Sequence, residues 1–569
     1  MARTPLFRLL RRGLARAAAS SNETPHGIPE GTPNVTAGRI GRRTLLRAGA
    51  IGGAGLALGC RPTVATRDAR DESSSVVVVG AGLAGLTCAH QLQRAGVRPT
   101  VYEAQERVGG RVFSGRGLFA GDLVCELGAE LVNSDHVVMR GLCRELGLTL
   151  EDYCDDAIAT KEIFHVGGER YTAENAHEAF RHLAAALERE RARLGSFDLS
   201  HRNASPEAAA IDRMSIAEWL DAAEITGWFR TVVDVAFTTE LGRECDAQSA
   251  FNLLYLYEPL LEEGRHYAPV GGSDERFHVH GGNDLVATRL AAGLDGPLEL
   301  GARLEALSGG DGDYTLAFRR GASTFEVRAS HVVLAVPFTT LREVDLRVEL
   351  PAVKRRAIAE LAYGTNTKLM MGFRERPWRT THGSNGVVVS DLPFQTSWEG
   401  SRLQSAFSEP AARPSDPTPR ERRGQATEPN PSRDAGFLVA FTGGRVGEAL
   451  TRERSGEALA SFVAALDGVF PGIAAARDEH HATFHWPGFA WAKGSYACFA
   501  PGQFAAFHGA EAEPVGRLFF AGEHTSSEFQ GFMEGAAESG VRAANEVAAA
   551  LGLGAIASPA IDETAGCAA

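Results

Sequence analysis

Gly80-Ala81-Gly82-Leu83-Ala84-Gly85, followed at 23 residues from Gly80 by the acid Glu103, has the residue types and spacing to hold a diphosphate and a ribose. Gly80 permits a tight turn, and Gly82 lets the backbone approach a pyrophosphate. Gly85 lets a helix pack closely on a strand, and the start of that helix offers N–H groups to phosphate. Glu103 accepts two ribose hydroxyls and would repel a phosphate at the same place. Three elements must position these residues: a buried strand Val76–Val79, a helix to about Arg94, and a strand Thr100–Tyr102 ending at Glu103. The unit binds a dinucleotide. Nicotinamide and flavin remain open from this motif alone.

The chain has 569 residues, with 44% hydrophobic and 23% charged side chains. That is long enough for two to four domains and too apolar for a largely disordered protein. With 58 basic against 71 acidic side chains it has the wrong sign for a general nucleic-acid binder. Eight widely spaced cysteines form no CxxC or Cys/His pattern, so no metal site is expected.

Residues 1–60 hold nine Arg, two Glu and no Lys. Arg42-Arg43 precedes a short stretch, Ala48 to Gly59, too brief and weakly apolar to span a membrane. The pair resembles a twin-arginine export signal, which predicts a periplasmic or extracellular protein. Ala57-Leu58-Gly59-Cys60 resembles a lipoprotein box, with Ala where Leu is usual, making Cys60 a candidate lipid anchor. Without this segment, 49 basic and 69 acidic residues leave a charge of −20.

Short alternating strands are predicted at Leu298–Leu307, Tyr314–Arg319 and Thr324–Ala329, and helices at Ala176–Leu194 and from Ser215. Residues 409–434 are polar and Pro-rich, a predicted disordered loop. The closing helix runs from Gly531 to about Leu551.

Several further motifs occur in order. They are Arg107-Val108-Gly109-Gly110-Arg111, Glu126-Leu127-Gly128-Ala129-Glu130, Phe520-Ala521-Gly522-Glu523-His524-Thr525 and Gly531-Phe532-Met533-Glu534-Gly535-Ala536. Together with Leu300–Leu307 and Val332–Pro337, this pattern resembles the FAD-dependent amine oxidase family, of flavin monoamine oxidase or polyamine oxidase type. The resemblance covers about Ser75 to Leu551. It implies an α/β, two-domain Rossmann-like (GR2-type) FAD fold with an interwoven α+β substrate domain. The FAD domain would comprise residues 75–140, 272–345 and 486–552, the substrate domain 141–271 and 346–485, and 553–569 a flexible tail.

The implied FAD contacts are Gly80, Ala81, Gly82, Ala84, Gly85, Glu103, Ala104, Gly110, Arg111, Gly128, Ala129, Glu130, Leu304, Gly522, Glu523, Gly531, Phe532 and Met533. Lys368 matches the family lysine that holds a water against flavin N5. Tyr496 and Phe532 match the two aromatics that flank the amine, and Trp486 and Trp491 fall where they would wall the same region. Two facing rings form an apolar slot that favours the neutral amine. Ser495 stands where covalent members carry the attachment cysteine, so FAD is expected without a covalent bond. His485 and His524 are assigned no chemistry.

The reaction so implied is oxidative deamination of a small-molecule amine by hydride transfer to flavin N5, with O₂ as acceptor and hydrogen peroxide as product. An L-amino-acid oxidase on the same fold is the alternative. Glu130 would repel a substrate carboxylate, although Arg374 or Arg376 would supply a cation. A non-catalytic flavoprotein is a further alternative, disfavoured by Lys368 and both aromatics. The identity of the amine and the oligomeric state are not written in these motifs.

Overall fold

Val76–Val79 is the central strand of a five-stranded parallel sheet. The order is Leu518–Phe520, His331–Leu334, Val76–Val79, Thr100–Tyr102, Leu298–Glu299. All four valines are buried, as a parallel strand covered on both faces requires. The computed structural model describes residues 75–156, 158, 163–195, 199–256, 274–404, 434–559 and 561. Arg42, Arg43, Cys60 and all of the 409–434 stretch except Asp434 lie outside the described residues.

The first crossover helix, Leu83–Arg94, packs against the closing helix, Met533–Ala550. Small residues make the approach possible. A Cβ on Gly540 would lie 2.4 Å from the Ala84 carbonyl oxygen. The helix Val137–Glu145 packs into the same core through Val138, Met139, Leu142 and Cys143. The expected boundary at 140 therefore falls inside this helix. Its N-terminus lacks a cap of its own, and Glu534 supplies one, accepting from the Val138 and Met139 amides at 2.8 Å each.

Leu298–Leu307, expected as one strand, is two. Gly301 (φ 66°) turns the chain between Leu298–Glu299 of the parallel sheet and Arg303–Gly310 of a separate sheet. That four-stranded sheet has the order Ser323–Ala329, Asp313–Arg320, Arg303–Gly310, Asp345–Arg347.

A seven-stranded sheet forms the other main layer. It includes Thr367–Phe373 between the antiparallel strands Gly436–Thr442 and Arg477–His485. Its two-residue alternation sorts side chains by face. Leu369, Met371 and Phe373 enter one apolar cluster, whereas Met370 enters another and Asn366 and Lys368 face a cavity. The helices Ala173–Leu194, Ile216–Ala222 and Gly227–Leu241 contribute to the neighbouring core. Ser215 and Glu218 form a reciprocal capping box at the second of them. Part of the predicted flexible tail is docked: the Ile556 amide donates to Asn545 and Arg94 donates to the Ala557 carbonyl. Among the described residues, no helix is long and apolar enough to cross a membrane.

Candidate active site

One continuous cavity is lined from both main layers. Gly80, Gly82, Ala84, Glu103, Ala104, Gly110, Arg111 and Leu304 line one part, and Gly128, Ala129, Glu130, Lys368 and Tyr496 another. Gly522, Glu523, Gly531, Phe532 and Met533 line it from the carboxyl-terminal motif. Two of the expected contacts serve the turn instead. The Ala81 amide donates to Glu103 Oε2 at 2.7 Å, and its side chain is buried. Gly85 lies against Gly80, where a Cβ would stand 2.0 Å from the Gly80 carbonyl oxygen.

The cradle fits a dinucleotide diphosphate. A Cβ built on Gly82 meets nothing within 4 Å, so the open volume there is the volume that a side chain would fill. The helix that starts at Leu83 has no side-chain cap and no acid in its first turn. Its amide dipoles therefore face the cavity without a competing carboxylate. The helix that starts at Met533 also lacks a side-chain cap at Phe532, which suits a second electronegative group. Burial raises the Glu103 pKa, while amides of Gln105 and Ala81 counter that effect. Its Oε1 accepts from the Gln105 amide at 2.9 Å.

Arg111 joins the glycine motif to both distant segments. Its Nη1 donates to Glu523 Oε1 at 2.8 Å and to the Ser495 carbonyl at 2.7 Å. Glu523 also accepts from the Gly531 amide at 2.7 Å and the Ala497 amide at 3.2 Å. Gly128 is needed where it stands, since a Cβ would lie 2.0 Å from the Arg111 carbonyl oxygen.

Lys368 is more constrained than its position in the motif suggested. Its Nζ donates to the Glu126 carbonyl at 2.9 Å, the Gly128 carbonyl at 2.9 Å and Glu130 Oε2 at 2.6 Å. An ammonium has three N–H groups, and three acceptors of the protein face them. Glu130 Oε1 accepts from the Trp398 indole at 2.8 Å. The charge of Glu130 is thus offset by Lys368, which weakens the repulsion expected for a substrate carboxylate.

Arg374 and Arg376 do not line the cavity. Arg374 donates to the carbonyls of Arg477 and Ala475, and Arg376 reaches Glu399. Neither is therefore placed to anchor a substrate carboxylate in this cavity. Trp486 and Trp491 both line it, and the Trp486 indole donates to the Leu127 carbonyl. His524 is buried and its pKa is pushed down to about 3, chiefly by burial. His485 is bonded to the Glu448 carbonyl, away from the cavity.

Ser495 donates to Asn366 at 2.7 Å, and Cys498 is buried without lining the cavity. Sequence reasoning missed Asn366, Trp398 and Phe441, which line the cavity from the seven-stranded sheet. Alternation from Lys368 gives Asn366. Trp398 and Phe441 depend on which strands pair, and no local pattern carries that.

The sequence profile of the flavin containing amine oxidoreductases matches residues 83–548. The chain is 25% identical over 487 residues to the flavin-containing amine oxidase A of Sus scrofa, covering 84% of this chain and 85% of that protein. It is 26% identical over 511 residues to an L-amino-acid oxidase of Mus musculus, covering 82% of this chain and 70% of that one. The fold is shared with cyclohexylamine oxidase from Brevibacterium oxydans IH-35A, at TM-score 0.68 and 22% identity over 84% of this chain and 99% of that one. With the glycine turn, Glu103 and the carboxyl-terminal motif around one cavity, this chain belongs to the flavin-containing amine oxidoreductase family and is an FAD-dependent oxidoreductase.

Proposed function

We propose that the protein oxidises an amine and passes the electrons to O₂, forming an imine that water hydrolyses, and hydrogen peroxide. One observation carries this reading: Lys368, Tyr496 and Phe532 line the same cavity as the phosphate cradle. FAD, when bound, supplies the hydride acceptor and the route to O₂. The residues of the chain contribute orientation and desolvation. Tyr496 and Phe532 offer apolar rings to the carbon beside the amine, and the Tyr496 hydroxyl is held toward the Thr239 carbonyl at 3.4 Å. Lys368 fixes the segment Glu126–Glu130 at the cavity wall.

A peroxide-coupled screen of mono-, di- and polyamines beside common amino acids tests the reading. Peroxide from amines alone supports it. Peroxide from amino acids alone favours the L-amino-acid oxidase alternative, to which the ion pairing of Glu130 gives some support. A flavin that no compound bleaches anaerobically sinks both.

The FAD is held without a covalent bond in this reading. Ser495, which donates to Asn366, forms no thioether, and Cys498 lies off the cavity. Acid precipitation should release the flavin into the supernatant, and flavin retained on the polypeptide would refute the assignment. We further propose export through the twin-arginine pair. Replacing Arg42 and Arg43 with Lys should leave folded, FAD-loaded enzyme in the cytoplasm, and undiminished export would mean another type of signal.

A further inference from the structure

We propose that Glu130 is the hydrogen-bond acceptor for the substrate nitrogen, held in place by Lys368 and Trp398. This assignment rests on the amine-oxidising reading of the cavity. It moves Glu130 from cofactor binding to substrate orientation.

Lys368 spends its donors on the protein. Its Nζ meets the Glu126 carbonyl at 2.9 Å, the Gly128 carbonyl at 2.9 Å and Glu130 Oε2 at 2.6 Å. With its N–H groups so engaged, Lys368 has none left to direct at a ligand. Glu130 differs. An ionised carboxylate has about four lone-pair sites. Two take donors here, Lys368 on Oε2 and the Trp398 indole on Oε1 at 2.8 Å. The rest remain for a ligand in the cavity that Glu130 lines.

The other acids lining the cavity among the described residues are engaged at other places along it. Glu103 takes the Ala81 and Gln105 amides, Glu523 takes Arg111 and the Gly531 amide, and Glu343 pairs with Lys493 and Arg303. Around Glu130 the walls are aromatic, since Trp398 and Phe441 stand 5.5 Å apart at their ring centres and both line the cavity.

An acceptor in an apolar slot does two things for an amine. It takes one N–H and so sets the direction of the nitrogen lone pair, which must be free to assist C–H cleavage. It also favours an N–H donor over an apolar group of the same shape. Lys368 and the Trp398 indole hold one oxygen of Glu130 each, so the substrate nitrogen meets an acceptor whose direction the fold has already set.

The test uses the FAD-loaded enzyme and two probes of equal shape that cannot be oxidised. These are α,α-dimethylbenzylamine, which has no α-hydrogen, and tert-butylbenzene, which has no N–H. Dissociation constants are read by calorimetry. The wild type should bind the amine at least tenfold tighter than the hydrocarbon. Glu130→Leu should reduce that preference to threefold or less, and Glu130→Gln, isosteric and gentler on folding, should lower it at least threefold. An unchanged preference in FAD-loaded Glu130→Gln overturns the assignment. So does a preference abolished by Lys368→Met and untouched in both Glu130 variants. Failure of the amine-oxidising reading is seen separately, as a wild type that makes no peroxide from any amine.

Discussion

Arg111 Nη1 donates at once to Glu523 Oε1 at 2.8 Å and to the Ser495 carbonyl at 2.7 Å. Residues more than 380 positions apart thereby meet at one nitrogen. The Glu523 side chain is 5% exposed and that of Arg111 22%, so the pair is largely withdrawn from water. Replacing Glu523 with Gln would leave the guanidinium without its counterion and turn an amide N–H₂ toward the donors of Ala497 or Gly531. We expect a loss of about 3 kcal/mol, in the range for breaking a buried pair. Urea unfolding of the FAD-loaded protein measures it, and a loss under about 1 kcal/mol with full FAD content would contradict this role.

Two glycines of one motif should fail in different ways. Gly82→Ala adds a Cβ that meets no protein atom within 4 Å, at an ordinary φ of −73°. The apoprotein should keep its stability to within about 1 kcal/mol, while FAD affinity falls at least tenfold, about 1.4 kcal/mol. Gly85→Ala puts its Cβ 2.0 Å from the Gly80 carbonyl oxygen, so stability itself should fall by about 3 kcal/mol. Fluorescence titration with FAD and thermal unfolding of the apoproteins separate the two. Equal losses in both assays for both variants would refute the division of labour.

Lys368→Met should keep FAD bound and slow turnover. The change strips a donor from the Glu126 and Glu130 acceptors and from the Gly128 carbonyl. Its stability cost should be about 1–3 kcal/mol. Stopped-flow measurement of flavin reduction and reoxidation should show at least a tenfold change, about 1.4 kcal/mol of barrier, in one of them. Both rates within twofold of wild type would make Lys368 an anchor alone.

His278 should give the enzyme a pH-dependent store of stability. Burial by itself lowers its pKa, but hydrogen bonds to Glu126 at 2.9 Å and Glu151 at 3.1 Å prevail and push it up to about 10. A histidine raised in the folded state contributes fully below its unfolded value of about 6.5, and the contribution is lost as pH rises through about 10. His278→Gln should therefore cost about 3 kcal/mol or more at pH 6, where it leaves two carboxylates facing each other in the interior. The cost should shrink by pH 10. Urea midpoints measured across that interval check the sign, and a penalty that grows with pH would show that His278 is neutral in the fold.

The glycine turn, Glu103 and the strand–helix–strand unit were legible because their physics is local: neighbours in the chain make the turn, and the Ala81 amide closes it on Glu103. The parallel strand Val76–Val79 was legible for the same reason, since four consecutive β-branched valines suit a strand covered on both faces. The break at Gly301 was not, because the hydrophobic alternation runs on through it and only the positive φ ends the strand. Family likeness placed Lys368 at the site, but its partners were beyond reach. The contact at Glu130 spans 238 residues and that of Glu130 with Trp398 spans 268. Residue type alone made Glu130 a bare negative charge. Strand pairing in the seven-stranded sheet brings Lys368 and Trp398 onto its two oxygens, and only that packing turns the charge into a held acceptor.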